Sequence, residues 1–217
     1  MTVAPVRTPL PQRLRTNPII AVLRAREASA CDPVIDALIA EGVVSIELTL
    51  TTPGTIDALP SLLARVGDAA DVGVGTVTSS DHAQQAIDAG AAYLVTPITQ
   101  PEIIATARAA TVPVIPGGLT PTELFDAWQA GASAVKVFPA QTVGHAYGAH
   151  LRGPFPEIEF IPSGGVTLEQ IPLWLNAGAV AVSLGGPLLG DALAGGSLAA
   201  LRERARTAVE LTQSTGR

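Results

Sequence analysis

Lysine, cysteine and aromatic residues are the scarce components of this 217-residue chain: one lysine, one cysteine and only 4% Phe, Trp and Tyr. Cys31 alone cannot close an internal disulfide, and neither C-x-x-C nor H-E-x-x-H occurs, so a reducing compartment and the absence of structural zinc are expected. His82, His145 and His150 fall in helix-start or loop contexts with no ligand spacing, which leaves them surface roles and implies no metal and no cofactor. A net charge of -6 with no basic run lacks the electrostatic footprint of a nucleic-acid binder. No stretch approaches the ~18 unbroken apolar residues that a membrane span needs. The first seventeen residues carry proline and arginine but not the apolar core of a secretory signal. A soluble, cytoplasmic protein without a membrane or nucleic-acid partner is therefore expected.

What is abundant is aliphatic: 47% of residues are hydrophobic, dominated by small and branched side chains, in a chain long enough for one substantial core. A repeat runs through it. Ala40-Glu41-Gly42, Asp88-Ala89-Gly90, Gln129-Ala130-Gly131 and Asn176-Ala177-Gly178 each end a helix-like stretch on glycine, the residue that most cheaply takes the left-handed C-cap conformation. Apolar strands follow at Val43–Leu48, Ala92–Thr96, Ala134–Phe138 and Val180–Leu184, and four more lie at Ile19–Leu23, Val72–Thr76, Val112–Ile115 and Ile158–Ile161. Helices are expected over Ala30–Ile39, Thr55–Arg65, Ser80–Ala89, Pro101–Ala109, Pro121–Ala130, Leu168–Ala177 and Ser197–Leu211. Eight nearly continuous hydrophobic strands alternating with helices predict an α/β protein, a single-domain (β/α)8 TIM barrel over residues 18–217, preceded by an N-terminal extension or short helix at 1–17. A doubly wound open sheet is the alternative architecture.

Strand parity then separates the two faces. Val44, Ile46 and Leu48 face the helices, which turns Ser45, Glu47 and Thr49 inward; Val135 and Val137 likewise leave Ala134 and Lys136 inside. In the last strand Val180, Val182 and Leu184 are expected outside, and Ala179, Ala181 and Ser183 inside. The only lysine and an acid thus share the interior, where an amine lone pair can attack a ketone and a carboxylate can move protons. A buried ion pair filling one layer is the competing reading. Glycine pairs at Gly117-Gly118, Gly164-Gly165 and Gly185-Gly186 follow strands and offer amides to an anion, with Ser163 beside the second pair. Tight turns would need glycine there too. Arg24, ending the first strand, suits a substrate carboxylate or a solvent cap; Thr76, in Gly73-Val74-Gly75-Thr76-Val77, suits a ligand or a bulge.

Taken together, Ile19–Arg24, Ile46–Leu50, Gly73–Val77, Val95-Thr96-Pro97, Pro116-Gly117-Gly118, Val135–Ala140, Gly153-Pro154-Phe155 and Pro162–Val166 resemble the 2-dehydro-3-deoxy-phosphogluconate/phosphogalactonate aldolases, class I pyruvate aldolases. The resemblance spans nearly the whole chain. It implies that Lys136 forms a Schiff base with the substrate ketone and that Glu47 is the general acid/base. It further implies that Arg24 and Thr76 hold the pyruvyl carboxylate, that Pro97 and Phe138 line the pocket, and that the amides around Gly164, Gly165, Gly185 and Gly186, beside Ser163, hold a distal phosphate. A metal-independent homotrimer is implied, converting a 2-keto-3-deoxy-6-phospho sugar acid to pyruvate and glyceraldehyde 3-phosphate, with a small-molecule 2-keto acid substrate and an aldehyde product. Two departures bear on the substrate. Thr51 stands where gluconate-type members carry arginine, and Pro187 where they carry serine, so an aldolase for a smaller unphosphorylated 2-keto acid such as 4-hydroxy-2-oxoglutarate, or a non-aldolase phosphate-binding barrel (isomerase, synthase or binding protein), are the alternatives.

Overall fold

The computed structural model describes residues 5–214; the outermost residues of the 1–17 and 18–217 segments lie outside that range. Helix α1 (Gln12–Thr16) leads into strand β1 (Ile19–Leu23), and strands and helices alternate thereafter: α2 (Asp32–Ala40), β2 (Ser45–Thr49), α3 (Thr55–Val66), β3 (Asp71–Gly75), α4 (Ser80–Asp88), β4 (Leu94–Val95), α5 (Pro101–Ala109), β5 (Val114–Ile115), β6 (Gly117–Gly118), α6 (Pro121–Gln129), β7 (Val135–Val137), α7 (Ala146–Arg152), β8 (Phe160–Pro162), α8 (Ile171–Asn176), β9 (Val182–Leu184), α9 (Gly186–Leu189) and α10 (Leu198–Gln213). Every paired strand is parallel. The fold is α/β with a curled parallel sheet, in two arcs ordered β5-β4-β3-β2-β1-β9 and β6-β7-β8.

Pro116 explains why the fifth strand counts as two. Having no N–H, it interrupts the ladder, and β5 pairs with β4 before it while β6 pairs with β7 after it. The seams are bonded nevertheless. The Ser133 amide donates to Val114 O at 2.9 Å and the Lys136 amide to Pro116 O at 2.7 Å. At the other seam Val180 N–H donates to Phe160 O at 3.0 Å, and Ser163 bridges Ser183 in parallel sense.

The four glycines of the repeat all have positive φ: Gly42 at 87°, Gly90 at 93°, Gly131 at 98° and Gly178 at 97°. Each closes a Schellman motif. After α2, for example, Gly42 N–H donates to Ile39 O and Val43 N–H reaches back to Leu38 O, both at 3.0 Å. The same pattern recurs a fifth time after α5, where Thr111 N–H donates to Arg108 O and Val112 N–H to Ala107 O. There a threonine takes φ 58°, a conformation that costs a β-branched residue.

Outward-facing Ile46, Leu48, Val135, Val137, Val182 and Leu184 join the large cluster beneath the helices, while Ile20, Tyr93, Val95, Ile115, Ala134, Ile161 and Ala181 form a second cluster on the concave side. Leu10 and Leu14 of the N-terminal segment belong to that inner cluster. Parity fails at one place. Ala179 packs with the outer cluster and Val180 against the inner one, opposite to expectation, because β9 begins only at Val182 and the residues before it belong to the turn out of α8. Two helices escaped the sequence pattern: α7, which contains His150, and α9, both too short to show a periodicity. His82, His145 and His150 are exposed. Among the described residues no helix is long and apolar enough to cross a membrane.

Candidate active site

A cavity of about 840 Å³ opens at the C-terminal ends of the strands, lined by Glu47 from β2, Lys136 from β7, Arg24, Thr76, Pro97, Phe138, Ser163, Gly164, Gly165, Gly185 and Gly186. This is the end at which such parallel α/β folds bind ligands. Lys136 sits mid-strand, 7% exposed, with Nζ 5.0 Å from the centroid of the Phe138 ring, within cation–π range. Glu47 is 1% exposed. Its space comes from β3, where the neighbouring inward positions, Gly73 and Gly75, are glycine: a Cβ at Gly75 would lie 2.5 Å from Glu47 Cγ and closer still to the carboxyl group. Burial pushes the Glu47 carboxyl above its ordinary range, and the positive charges of Lys136 and then Arg24 partly offset the push.

Around this pair the loops are tied together by threonines. The Thr49 hydroxyl donates to Leu23 O at 3.1 Å, and Ala25 N–H donates to Thr52 Oγ1 at 2.9 Å, which fixes the segment carrying Arg24 against the end of β2. Arg24 Nη2 lies 3.5 Å from Thr76 Oγ1. Thr76 itself holds φ 60°, an outlier for a β-branched residue of the sort that gathers at ligand sites. Thr51 does not line the cavity; its hydroxyl donates to Thr49 Oγ1 at 3.1 Å.

The glycine pairs divide. Gly164 and Gly165, at φ 88° and 78°, and Gly185 and Gly186 lie on the cavity wall. A Cβ at Gly165 would stand 2.6 Å from Gln141 Cβ, so glycine is needed for packing as well as for its dihedral. Ser163 Oγ donates to Ser183 Oγ at 3.2 Å, both buried. Gly117-Gly118, by contrast, is the buried strand β6 rather than a turn at the mouth, and a Cβ at Gly117 would meet Pro97 backbone at 2.6 Å. Its amides are therefore not offered to an anion.

Sequence reasoning had singled out Pro187 on this wall but missed the residues around it, among them Ala25, Arg26, Leu189, Leu193 and Ala194. Arg26 is the consequential one. Arg24-Ala25-Arg26 places two cations directly after a strand, a signal that was legible. The cavity is lined by three cations, Arg24, Arg26 and Lys136, against one acid, Glu47, in a chain of net charge -6, so it is locally suited to an anionic substrate. Pro187, at the first turn of α9, withholds an amide hydrogen from the same wall.

Residues 10–200 match the family described as KDPG and KHG aldolase. The chain belongs to that family. It is an aldolase, a carbon–carbon lyase, as the resemblance led one to expect. It is 33% identical to the 2-dehydro-3-deoxy-6-phosphogalactonate aldolase of Escherichia coli K12 over 79% of this chain and 84% of that one. It is also 33% identical to the 2-dehydro-3-deoxy-phosphogluconate aldolase of Dickeya dadantii over 94% and 96%. The solved structure of the Legionella pneumophila KDPG aldolase, with pyruvate captured as a covalent carbinolamine, superposes with a TM-score of 0.78 at 26% identity, covering 94% of this chain and 96% of that one.

Proposed function

We propose that this aldolase cleaves a 2-keto-3-deoxy-6-phospho sugar acid of the gluconate or galactonate type to pyruvate and glyceraldehyde 3-phosphate through an imine on Lys136. The observation that carries the reading is the chain's single lysine buried in one cavity with Glu47 and two cationic neighbours, Arg24 and Arg26, for an anionic substrate. The amine adds to the C2 carbonyl to give a carbinolamine, which loses water to an iminium. The C4 hydroxyl gives its proton to the Glu47 carboxylate as the C3–C4 bond breaks, its electrons flowing into the iminium to form an enamine. The aldehyde departs. Protonated Glu47 returns the proton to C3, and water hydrolyses the imine to free pyruvate. A carboxyl whose proton affinity burial has raised is suited to both halves of that transfer.

Arg24 and Thr76 hold the pyruvyl carboxylate, and Pro97 and Phe138 shape the pocket around the three-carbon unit. The distal phosphate lies against the amides of Gly164, Gly165, Gly185 and Gly186 beside Ser163. Arg26 supplies there the charge-assisted contact that Pro187 cannot. The two sheet arcs are parts of one closed (β/α)8 barrel, a reading supported by the backbone bonds across both seams and by α10 packing on α2 as well as α8. One domain spans 18–217, with 1–17 as its N-terminal segment. A homotrimer working in the cytoplasm is the assembly and place that the family resemblance and the buried free thiol of Cys31 suggest.

Borohydride reduction in the presence of pyruvate tests the chemistry: a pyruvate-derived adduct is expected on the peptide containing Lys136, and full activity in Lys136→Ala would sink the mechanism. A lactate-dehydrogenase-coupled assay over phosphorylated and unphosphorylated keto-deoxy acids tests the substrate. Faster turnover of 4-hydroxy-2-oxoglutarate than of any phosphorylated acid would refute the assignment.

A further inference from the structure

We propose that Tyr93 is a positioning residue for Glu47, holding the deep oxygen of its carboxyl group through a water molecule shared with Ser45. The inference rests on the imine reading above, in which Glu47 moves the protons. Among the described residues four buried side-chain oxygens have no hydrogen-bond partner: Ser45 Oγ, Glu47 Oε2, Asp71 Oδ2 and Tyr93 Oη. They are not scattered. Ser45 and Glu47 stand on β2, Asp71 opens the adjacent β3, and Tyr93 immediately precedes β4 on the far side of β3. The register sets Ser45 beside Asp71 and Glu47 beside Gly73.

Gly73 is what lets Tyr93 reach across. A Cβ there would stand 2.7 Å from Tyr93 Cζ, the ring carbon that bears the hydroxyl, so the phenol ring lies over the open face of β3, where Glu47 and Asp71 are the charges that act on its hydroxyl. Ser45 and Tyr93 are wholly buried, and Tyr93 packs in the apolar inner cluster with Ile20, Val95 and Ile115. Burial first, then the charges of Glu47 and Asp71, push the Tyr93 phenol well above its ordinary range. It therefore remains an O–H donor lying in the field of both carboxylates. A buried water takes two to four polar partners, and Tyr93 Oη, Ser45 Oγ and Glu47 Oε2 supply three.

The charged and titratable groups facing Glu47 are Lys136 from β7, Arg24 after β1, and Tyr93 before β4; Asp71 at the start of β3 stands beside Ser45 and is paired through Oδ1 with Arg13 of α1 at 3.0 Å. The two cations approach the carboxyl from the cavity. The Tyr93–Ser45 pair is the donor set beneath it, and it fixes Oε2 while Oε1, against Gly75, meets the substrate.

The test is the pH profile of deuterium exchange into the pyruvate methyl group, read alongside borohydride trapping. Wild-type protein is measured first: if it neither exchanges nor is trapped on Lys136, the imine reading falls and takes this inference with it. Tyr93→Phe keeps the ring over Gly73 and removes only the donor oxygen. With a donor to the carboxylate gone, the carboxyl takes its proton at higher pH, so the acid limb should rise by about one unit and exchange below it should fall roughly tenfold. Trapping on Lys136 should be unchanged. Ser45→Ala should move the limb in the same direction, and it carries the test alone if Tyr93→Phe fails to fold by circular dichroism. An unmoved limb overturns the proposal, and so does a uniform loss of rate without a shift, which is what loosened packing would produce.

Discussion

Substituting Gly75 by alanine should disable the aldolase without touching any reacting group. Gly75 lies in β3 with ordinary backbone dihedrals, so alanine is tolerated by the chain itself. Its Cβ would, however, arrive 2.5 Å from Glu47 Cγ, where ordinary contact begins at 3.4 Å. The Glu47 side chain must therefore retreat by at least 3.4 − 2.5 Å, about 0.9 Å, and by more at its carboxyl end. A misplacement of about 1 Å costs on the order of 100-fold in rate, and overpacking at a buried site costs ~1–3 kcal/mol of stability. Turnover in the coupled assay should fall by about two orders of magnitude. Lys136, on the opposite arc, keeps its place, so borohydride trapping with pyruvate should continue. If Gly75→Ala turned over within threefold of wild type while folded, Glu47 would not be a rigidly placed proton carrier, and the mechanism would need another.

Three further outcomes are expected. The Glu47 carboxyl is pushed up in the folded state, so between its unfolded and folded values the native protein binds the extra proton, and stability falls as pH rises through that window. Glu47→Gln should therefore lose turnover yet melt higher than wild type at pH 8, the difference closing toward pH 4; a lower melting point at pH 8 would contradict the burial argument. Thr111→Gly relieves a left-handed threonine on the surface and should gain about 1 kcal/mol, raising Tm by roughly 2–4 °C; no change in thermal unfolding would mean the turn relaxes at no cost. Arg26→Ala should raise KM about tenfold for a phosphorylated acid and leave an unphosphorylated analogue unaffected, and equal losses for both would remove Arg26 from phosphate recognition.

The site was legible because strand parity and a single odd residue sufficed: Lys136 and Glu47 had to be inside once their neighbours were valine, isoleucine and leucine. The four Schellman turns were legible because glycine announces a left-handed residue. The fifth was not, since Thr111 takes the same conformation without the residue that signals it. Gly117-Gly118 misled for the complementary reason, glycine serving there for close approach to Pro97 rather than for a turn. Ala179 and Val180 were misassigned because parity holds only inside a strand, and α9 was invisible at four residues. Tyr93 drew no notice because its role depends on a missing side chain at Gly73, a relation between strands that one strand's pattern does not contain.

Helix α1 has a kinetic consequence. Leu10 and Leu14 pack against the inner cluster, while Arg13 pairs with Asp71 and Arg15 with Glu159, at the N-terminal ends of β3 and β8. Among the described residues α1 covers that end of the sheet, and the cavity opens at the other, at the mouth that Arg26 and Pro187 border. In the proposed reaction the aldehyde, formed on the outer side of the imine, leaves before water can release pyruvate from Lys136. In the synthetic direction pyruvate must reach Lys136 first, because only its enamine can attack the aldehyde.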